Sequence, residues 1–219
     1  MSPGKKAGDE AQVEIVNVRR RQDRAIQTRA RIIACATQAF VESGFEGATT
    51  RAIAERAGIR HALVIHHFEN KNSLWQSVMR DVLSSVEAAF AERMAALDDI
   101  DDVTKLRLIQ ADFIRIAAER PELHWLISDQ AGKSNERLDW LVENFIQDDA
   151  NLFIKLIRAA QAAGRYVEGE PYHLHYLFLG AAARIFMLSG EVERVLGRSP
   201  FDPAFVEEHI ETCQRLFFR

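Results

Sequence analysis

The fold of the N-terminal part of the chain is decided by the segment GIRHALVIHHFENK, which covers residues 58–71. The preceding segment, TTRAIAERA, predicts a helix of about eight residues with Thr49 or Thr50 as its cap. Gly58 ends that helix, and a second short helix is predicted from near Arg60 or His61 to His67. Two short helices that are separated by a glycine turn form the helix-turn-helix pattern.

Longer helices are predicted on both sides of this pattern. The first runs from about residue 24 or 28 to residue 43, where Gly44 stops it in a conformation that suits glycine. Asn70 caps another helix that begins at Lys71. The residues that we expect in the core of the pattern are Ile32, Ile33, Ala36, Ala39, Phe40, Ile53, Ala54, Ala57, Leu63, Val64 and Phe68.

The rest of the chain also has helical periodicity, and no segment has convincing strand alternation. Residues 1–22 lack periodic apolar residues, and we expect a disordered basic arm there. The segment GEVERVLGRSPFDP, residues 190–203, reads as a loop. The further helices are predicted over residues 102–119, 121–131, 134–163, 171–189 and 203–218.

The composition is that of a globular protein, with 47% hydrophobic and 27% charged residues. No apolar run reaches the roughly 18 residues of a membrane span, and two distant cysteines form no metal-type pair, so a cytoplasmic location is expected. Charge is unevenly distributed, since residues 1–75 hold 12 Lys or Arg against 8 Asp or Glu, whereas residues 76–219 hold 16 against 24. This asymmetry indicates a basic module that meets a polyanion and an acidic module with another role.

Residues 28–75 resemble the DNA-binding domain of TetR/AcrR-type transcriptional regulators. Three motifs are in register: F-x-E-x-G-F over 40–45, T-T-x-x-x-I-A-x-x-A-G over 49–58 and H-F-x-x-K-x-x-L over 67–74. The resemblance implies an all-α fold, with an N-terminal three-helix DNA-binding domain and a larger helical domain for effector binding and dimerisation. The corresponding boundaries are 1–22 for the arm, 23–70 for the DNA-binding domain and 71–219 for the remainder.

Three residues depart from the pattern of this family. Ile65 stands where the family usually has an aromatic residue, most often tyrosine. Arg60 stands where a small polar residue is common, and Leu63 where a threonine or similar residue is common. The predicted recognition helix therefore offers fewer hydroxyl groups and more arginine and histidine, so no known operator sequence is carried over.

The second short helix is expected to lie in the major groove with its N-terminal residues at the base edges. Arg60 is the first candidate for a base contact, because arginine can bind guanine O6 and N7 together; a phosphate or a nearby acid is its alternative partner. His61 and His66 are candidates for contacts to bases or phosphate. Ile65 is suited to a thymine methyl, and the small Ala62 lets the helix sit deep in the groove.

Phosphate contacts are expected from residues that flank the recognition helix. Lys71 begins a helix, and a helix N-terminus attracts anions. Thr49 and Thr50 can cap a helix, contact phosphate, or do both. Arg29 is also a candidate DNA contact, as one of six arginines in residues 19–31, a run that can reach phosphate or the minor groove.

The histidines His61, His66 and His67 suggest a metal site at first sight, but their spacing is poor. Two ligands on one helix need a separation of three or four residues, whereas these are five residues or one residue apart. His173 and His175 fail in the same way and are expected in a core or a pocket. Neither nucleophile motifs nor phosphate loops are present, so no cofactor and no enzymatic activity are predicted. A helical metalloprotein or enzyme is the least favoured alternative.

The resemblance further implies a small-molecule effector, whose identity the sequence does not name. Candidate pocket residues are Phe113, His124, Trp125, Trp140, Phe145 and Tyr176, and ordinary core packing is the alternative for each. The helix predicted at 171–189 is apolar almost all round, which indicates that one side packs on the core and the other on a partner. We therefore expect a homodimer, formed through the helices at about 171–189 and 203–218, that represses transcription until an effector releases it from double-stranded operator DNA. A DNA-binding regulator without a small-molecule effector is the main alternative.

Overall fold

The computed structural model describes the backbone of residues 4–219 and the side chains of residues 19–219. Contacts within the chain divide it into two compact units, Met1–Asp81 and Val82–Arg219. The regular secondary structure of the described part is helical apart from one isolated β-bridge between Tyr166 and Phe218. No described helix is both long and apolar enough to cross a bilayer.

The first unit is built from four helices, the last of which continues past its boundary. They are α1 at Gly4–Gly47, α2 at Thr50–Arg56, α3 at His61–Phe68 and α4 at Lys71–Ala96. Residues 53 and 54 of α2 are buried, as are residues 64 and 68 of α3. The three-helix arrangement predicted from the sequence is therefore present, with the start of α4 packed beside it.

The beginning of α1 differs from the prediction. A disordered arm was expected over residues 1–22 and a helix start at about residue 24 or 28, but α1 begins at Gly4. Arg19, Arg20 and Arg21 are exposed on this helix. The prediction relied on missing apolar periodicity, whereas arginine and glutamine are good helix formers even without a buried face. For residues 1–3 and for the side chains of residues 4–18, the predicted arm lies outside the described residues.

The predicted stop at Gly44 is confirmed as a break within α1. Gly44 has φ 64° and ψ 176°, which is not helical. This combination of angles is essentially restricted to glycine, because a Cβ atom would clash with the backbone. The break lets Phe45 return to the core, where it stacks on Phe40 at 5.9 Å and meets the edge of Trp75 at 6.3 Å between ring centroids.

The second unit adds seven α-helices to the end of α4. They are α5 at Asp102–Glu119, α6 at Pro121–Ala131, α7 at Glu136–Leu141, α8 at Gln147–Ala162, α9 at Pro171–Met187, α10 at Ser189–Leu196 and α11 at Pro203–Phe217. The bounds of α5 and α6 match those predicted. Local signals explain this agreement, because Asp101 caps α5 through the amides of Val103 and Thr104 and Pro121 occupies the first turn of α6.

Two predictions in this unit are wrong in detail. The helix expected over 134–163 is interrupted by a π-helical turn at Val142–Ile146, between α7 and α8. The segment 190–203 was expected to be a loop, but α10 occupies its first half, and Gly197, which has φ 68°, follows the end of this helix. The glycines and prolines in that segment mark the ends of α10 and α11 and do not exclude a helix between them.

The core of the second unit lies between α5, α8, α9 and α11. Its fully covered side chains include Leu106, Ile109, Ile114, Ile157 and Phe178. Gln110 donates a buried hydrogen bond to the hydroxyl of Tyr166 at 2.9 Å. Burial raises the pKa of Tyr166 to about 12, so this hydroxyl stays neutral.

Candidate functional site

The turn between α2 and α3 caps the C-terminal end of α2 with backbone hydrogen bonds. The amide of Gly58 donates to the carbonyl of Glu55, and that of Ile59 donates to the carbonyl of Ala54, each at 3.0 Å. This pair of bonds is the Schellman motif, which needs a left-handed residue just after the helix. Gly58 supplies it with φ 63°. The turn thereby sets the direction in which α3 leaves α2.

Thr49 and Thr50 both have structural partners. Thr49 caps α2, since its hydroxyl accepts from the amide of Ala52 at 3.1 Å. The Thr50 hydroxyl forms a 2.9 Å hydrogen bond with Nε2 of His61, which joins the start of α2 to the start of α3. The capping role predicted for Thr49 is confirmed, and the phosphate role of both residues stays a prediction.

One face of α3 is exposed. Val64 and Phe68 are buried at 0% and 4% exposure and hold the helix against the rest of the unit. On the opposite side Ala62 and His66 are exposed, and Arg60 is exposed just before the first turn. The helix can therefore offer these side chains to a groove without unpacking.

His61 is half-buried and differs in position from the other candidates. Its ring bonds to Thr50, which helps to position α3, and its contact with a base or phosphate stays a prediction. His66 is exposed, and its ring lies 5.6 Å from that of the half-buried His67. Burial, together with electrostatic interactions with His66 and Arg29, lowers the pKa of His67 below its ordinary value. His67 therefore favours the neutral form and acts as a packing residue.

Leu63 is a residue for which the sequence prediction was wrong. It was assigned to the core, but its side chain is 36% exposed, close to the 38% of Ile65. An eight-residue helix that is anchored by Val64 and Phe68 has only one buried face, and Leu63 lies about 100° away from Val64 around it. Leu63 therefore belongs to the exposed surface of α3, which could have been found by plotting the helix around those two anchors.

Arg29 and Lys71 are engaged with the scaffold beside α3. Arg29 donates to the Ser77 hydroxyl at 3.2 Å, and its guanidinium lies 5.0 Å above the Phe68 ring. The Lys71 ammonium lies 4.4 Å from the centre of the Phe45 ring and donates to the carbonyl of Glu46 at 3.3 Å. Both cations thus help to fix the ends of α3 and α4, and their predicted DNA contacts stay predictions.

Asn70 caps α4 as predicted. Its side-chain oxygen accepts from the amide of Ser73 at 2.9 Å. Glu69, between α3 and this cap, has φ 61°, the one positive φ of a non-glycine residue in the described part of the chain. The short connection thus depends on a backbone conformation that costs free energy and persists only because both helices are held in place.

The six predicted effector residues do not form one cluster through the ring contacts that the structure describes. Phe113 lies 5.7 Å from His124 and 5.7 Å from Phe178 between ring centroids, which places these two candidates together under α9. Trp140 and Phe145 form a second pair at 5.3 Å, beside the π-helical turn. The remaining two, Trp125 and Tyr176, are 45% and 64% exposed.

His175 is buried, in agreement with its expected place in a core or a pocket, although it was not among the six candidate effector residues. Its side chain is 5% exposed, and Nδ1 is buried without a hydrogen-bond partner among the described residues. Its ring lies 5.5 Å from that of Phe153, and burial lowers its pKa below the ordinary value, as it does for His124. The sequence offered a signal for this, because His175 follows Leu174 and lies three residues before Phe178, and all three are on the buried face of α9.

Metal binding has no support in the geometry of the described residues, where His, Cys, Asp and Glu form no group of three or more with suitable placement. The first unit contains a helix-turn-helix whose second helix, α3, is exposed on one face. Such a helix fits the major groove of DNA, so the first unit defines a DNA-binding protein of the helix-turn-helix class.

Comparison with known proteins supports the same class. Residues 32–78 match the family model described as "Bacterial regulatory proteins, tetR family". The HTH-type transcriptional regulator RutR of Escherichia coli O157:H7 is 23% identical over 204 residues, which cover 90% of this chain and 92% of RutR. The HTH-type transcriptional regulator BetI of Klebsiella pneumoniae (strain 342) is 35% identical over 81 residues, which cover 37% of this chain and 42% of BetI.

Solved structures share the fold. AibR, in complex with isovaleryl coenzyme A and operator DNA, matches with a TM-score of 0.69 at 18% identity, over 87% of this chain and 98% of AibR. HlyIIR, a hemolysin II transcriptional regulator, matches with a TM-score of 0.62 at 18% identity, over 86% and 97% of the two chains. The prediction from the sequence is confirmed: residues 32–78 form a TetR-type DNA-binding domain, and the all-α chain is similar to TetR-type transcriptional regulators over most of its length. Proteins of this type are not enzymes.

Proposed function

We propose that this chain is a homodimeric repressor that binds operator DNA through α3 and leaves it when a small molecule binds the helical part. In this proposal residues 23–70 form the DNA-binding domain and residues 71–219 the effector-binding and dimerisation domain, and the protein acts in the cytoplasm. The observation that carries the proposal is the exposed face of α3, which is anchored by Val64 and Phe68 on its other side.

The side chains on that face suit the recognition of a base sequence. Arg60 is exposed at the N-terminal end of α3, where a recognition helix meets the base edges. His66 is also exposed, six residues further along the chain. The Thr50–His61 bond, at 2.9 Å, limits how α3 can turn relative to α2. A fixed helix with mixed polar and apolar groups favours sequence-specific binding over contacts to the phosphates alone.

The exposed side of α9 supports the dimer. Tyr172, Tyr176 and Leu177 are 47%, 64% and 62% exposed on this helix, although its opposite side is buried in the core. On α11, Leu216 is 61% exposed. Large apolar side chains that repeat along one exposed helix face mark an interaction surface. We assign it to a second copy, as predicted for helices at about 171–189 and 203–218.

The effector site is proposed between α5, α6, α8 and α9. Phe113 and His124 meet there beside Phe178, and His175 lies next to Phe153 on the same side of α9. Leaving a buried polar atom without a partner costs free energy, and a ligand with a hydrogen-bonding group would remove that cost at Nδ1 of His175. Effector binding would then release the operator by favouring a conformation that fits it poorly.

The DNA-binding part is tested by selecting bound duplexes from a random pool. We expect an enriched site made of two half-sites related by a two-fold axis, with centres about 34–36 Å apart or a multiple of this distance. Enrichment of no sequence over several rounds would contradict specific binding. A single half-site without symmetry would contradict the dimeric mode and leave the reading of DNA by α3 intact.

The dimer is tested by sedimentation velocity at micromolar concentration. We expect the parent chain to sediment as a dimer and Leu177→Arg to sediment as a monomer, because the variant places a charge in the apolar face. Ile100→Arg is the matched control, since Ile100 is also exposed, at 38%, but lies between α4 and α5. A monomeric parent chain, or a dimeric Leu177→Arg variant, would refute the assignment.

A regulator without a small-molecule effector remains the second candidate, because two of the six predicted pocket residues, Trp125 and Tyr176, are exposed. The two functions are separated by thermal-shift measurements followed by operator release. Acyl coenzyme A thioesters are the first compounds to use, since AibR was solved with isovaleryl coenzyme A. A compound that stabilises the parent chain and releases operator, but acts weakly on His175→Phe, supports the effector. Operator binding that no compound changes, together with capture of a protein partner by the helical part, supports the alternative.

A further inference from the structure

Helix geometry defines where each exposed residue of α3 lies around the helix axis. Successive residues are rotated by about 100°, so Ala62 and His66, four residues apart, lie near the centre of the exposed face. Leu63 and Ile65 lie on its two flanks, about 160° apart around the helix and about 3 Å apart along it. The face therefore has a polar centre at His66 and an apolar side chain on either edge.

These two apolar residues stand out within the first unit. The large exposed hydrophobic residues among its described side chains are Ile26, Leu63 and Ile65. A single exposed apolar residue is ordinary on a protein surface, but two on an eight-residue helix that also carries the recognition surface require an explanation. Leu63 and Ile65 are 36% and 38% exposed, so each is partly covered by the fold and still offers apolar surface to solvent.

The chemistry of the DNA grooves limits what these carbons can contact. Phosphates and the donor and acceptor groups of the base edges gain nothing from an aliphatic side chain, since it offers no hydrogen bond. The C5-methyl group of thymine is the apolar feature that the major groove presents. A G·C pair has no such methyl group, so an apolar side chain placed against it favours a pair that contains thymine.

We infer that Leu63 and Ile65 read thymine methyl groups, so that each operator half-site contains two required thymines, one on each side of the base pair that α3 approaches with His66. This inference rests on the proposed binding of DNA through α3 and adds the bases that it selects. Because the two side chains point to opposite sides of the helix, the two thymines face opposite walls of the groove. Arg60, before the first turn, contributes a separate contact to guanine.

The size of the effect follows from the area involved. Burying one methyl-sized apolar group changes an equilibrium by about fourfold. Removing a single required thymine methyl should therefore weaken operator binding about fourfold, and removing both in one half-site about 15-fold if the two contacts are independent. These changes are large enough to measure by titration and too small to abolish binding.

The experiment replaces thymine by uracil at each position of the selected operator, which removes the C5-methyl group and preserves base pairing. We expect two positions in each half-site at which uracil weakens binding about fourfold, and no effect at the other thymines. Leu63→Ala should lose the preference for thymine at one of these positions, and Ile65→Ala at the other. Ile26→Ala, at 66% exposure on α1, is the control and should keep both preferences.

Affinity for a random duplex at low salt checks that each variant remains folded, because that affinity depends on phosphate contacts. The inference is overturned if uracil is tolerated at every position, if the operator contains no required thymine, or if Leu63→Ala and Ile65→Ala keep both preferences. If the selection enriches no sequence, the proposed function itself fails, which is a different result from an operator whose methyl groups are irrelevant.

Discussion

Replacing Gly58 by alanine tests whether the turn before α3 is held by backbone geometry alone. Gly58 has φ 63°, and a Cβ atom built on it would meet no other atom within 4 Å. A substitution there introduces no collision, so any loss of stability must come from the left-handed conformation itself. The position therefore separates backbone strain from packing, which few sites allow.

The expected magnitude follows from two opposing contributions. A non-glycine residue in the left-handed region costs about 1–2 kcal/mol. Replacing glycine also restricts the unfolded chain, which stabilises the protein by about 0.4–1 kcal/mol. We therefore expect Gly58→Ala to lower the free energy of unfolding of the first unit by about 1 kcal/mol. Gly58→Asn is the matched control and should lose less, because asparagine tolerates the left-handed region better than alanine.

The assay must follow the first unit by itself, because the chain has two compact units. Trp75 is 1% exposed in the core of the first unit, whereas Trp125 and Trp140 belong to the second. A background with Trp125→Phe and Trp140→Phe makes Trp75 the sole tryptophan, and its fluorescence then reports urea unfolding of the first unit. The change in free energy is the shift of the urea midpoint multiplied by the slope of the transition.

Two results would refute this reasoning. If Gly58→Ala unfolds at the same urea concentration as its parent, the left-handed conformation is not required in the folded turn. If alanine and asparagine destabilise equally and by much more than about 2 kcal/mol, a contact of the side chain and not the backbone angle is responsible. A loss for alanine with partial recovery for asparagine supports the role of the turn in orienting α3.

Two further predictions concern DNA recognition and acid stability. Arg60→Ala should relax the base preference at one operator position, whereas Lys71→Ala should weaken all duplexes alike and reduce the salt slope by about 1; unchanged operator affinity of Arg60→Ala in titrations would contradict its assignment. His175 has a pKa below its ordinary value of 6.5, because burial disfavours the charged ring. As the pH falls below 6.5, the unfolded chain takes up a proton that the folded chain does not, so stability falls until the pH reaches the folded pKa. Urea unfolding at pH 7 and pH 5 should therefore show a smaller acid loss for His175→Leu than for the parent, and an equal loss would argue against this cause.

Much of the helical architecture could be read from local signals. The starts of α5 and α6 match the prediction because Asp101 and Pro121 each act on the first turn of the helix that follows them. Gly44 and Gly58 likewise mark positions where the backbone angle favours glycine. The interruption of the helix at Val142–Ile146 has no comparable marker in the sequence, and the structure gives it no evident local cause.

The candidate sites depended more on tertiary structure. Arg60, Ala62, Ile65 and His66 are exposed on or beside α3 as predicted, but Leu63 is exposed where burial was expected. The bond from Thr50 to His61 joins residues eleven positions apart, and no periodicity indicates it. In the second unit, the folded chain brings Phe113 next to His124 and leaves Tyr176 exposed.

The sequence by itself determined that this chain is helical, because helix caps, glycine turns and apolar spacing are properties of neighbouring residues, and its motifs marked a TetR-type DNA-binding domain. Only the tertiary structure decided which face of each helix is covered. A residue is buried when a helix that is distant in the sequence packs against it. The same apolar spacing along a helix therefore occurs with buried residues and with exposed ones. Leu63 shows the difference, since the sequence indicates an apolar residue on α3 and the packing of Val64 and Phe68 turns it outward.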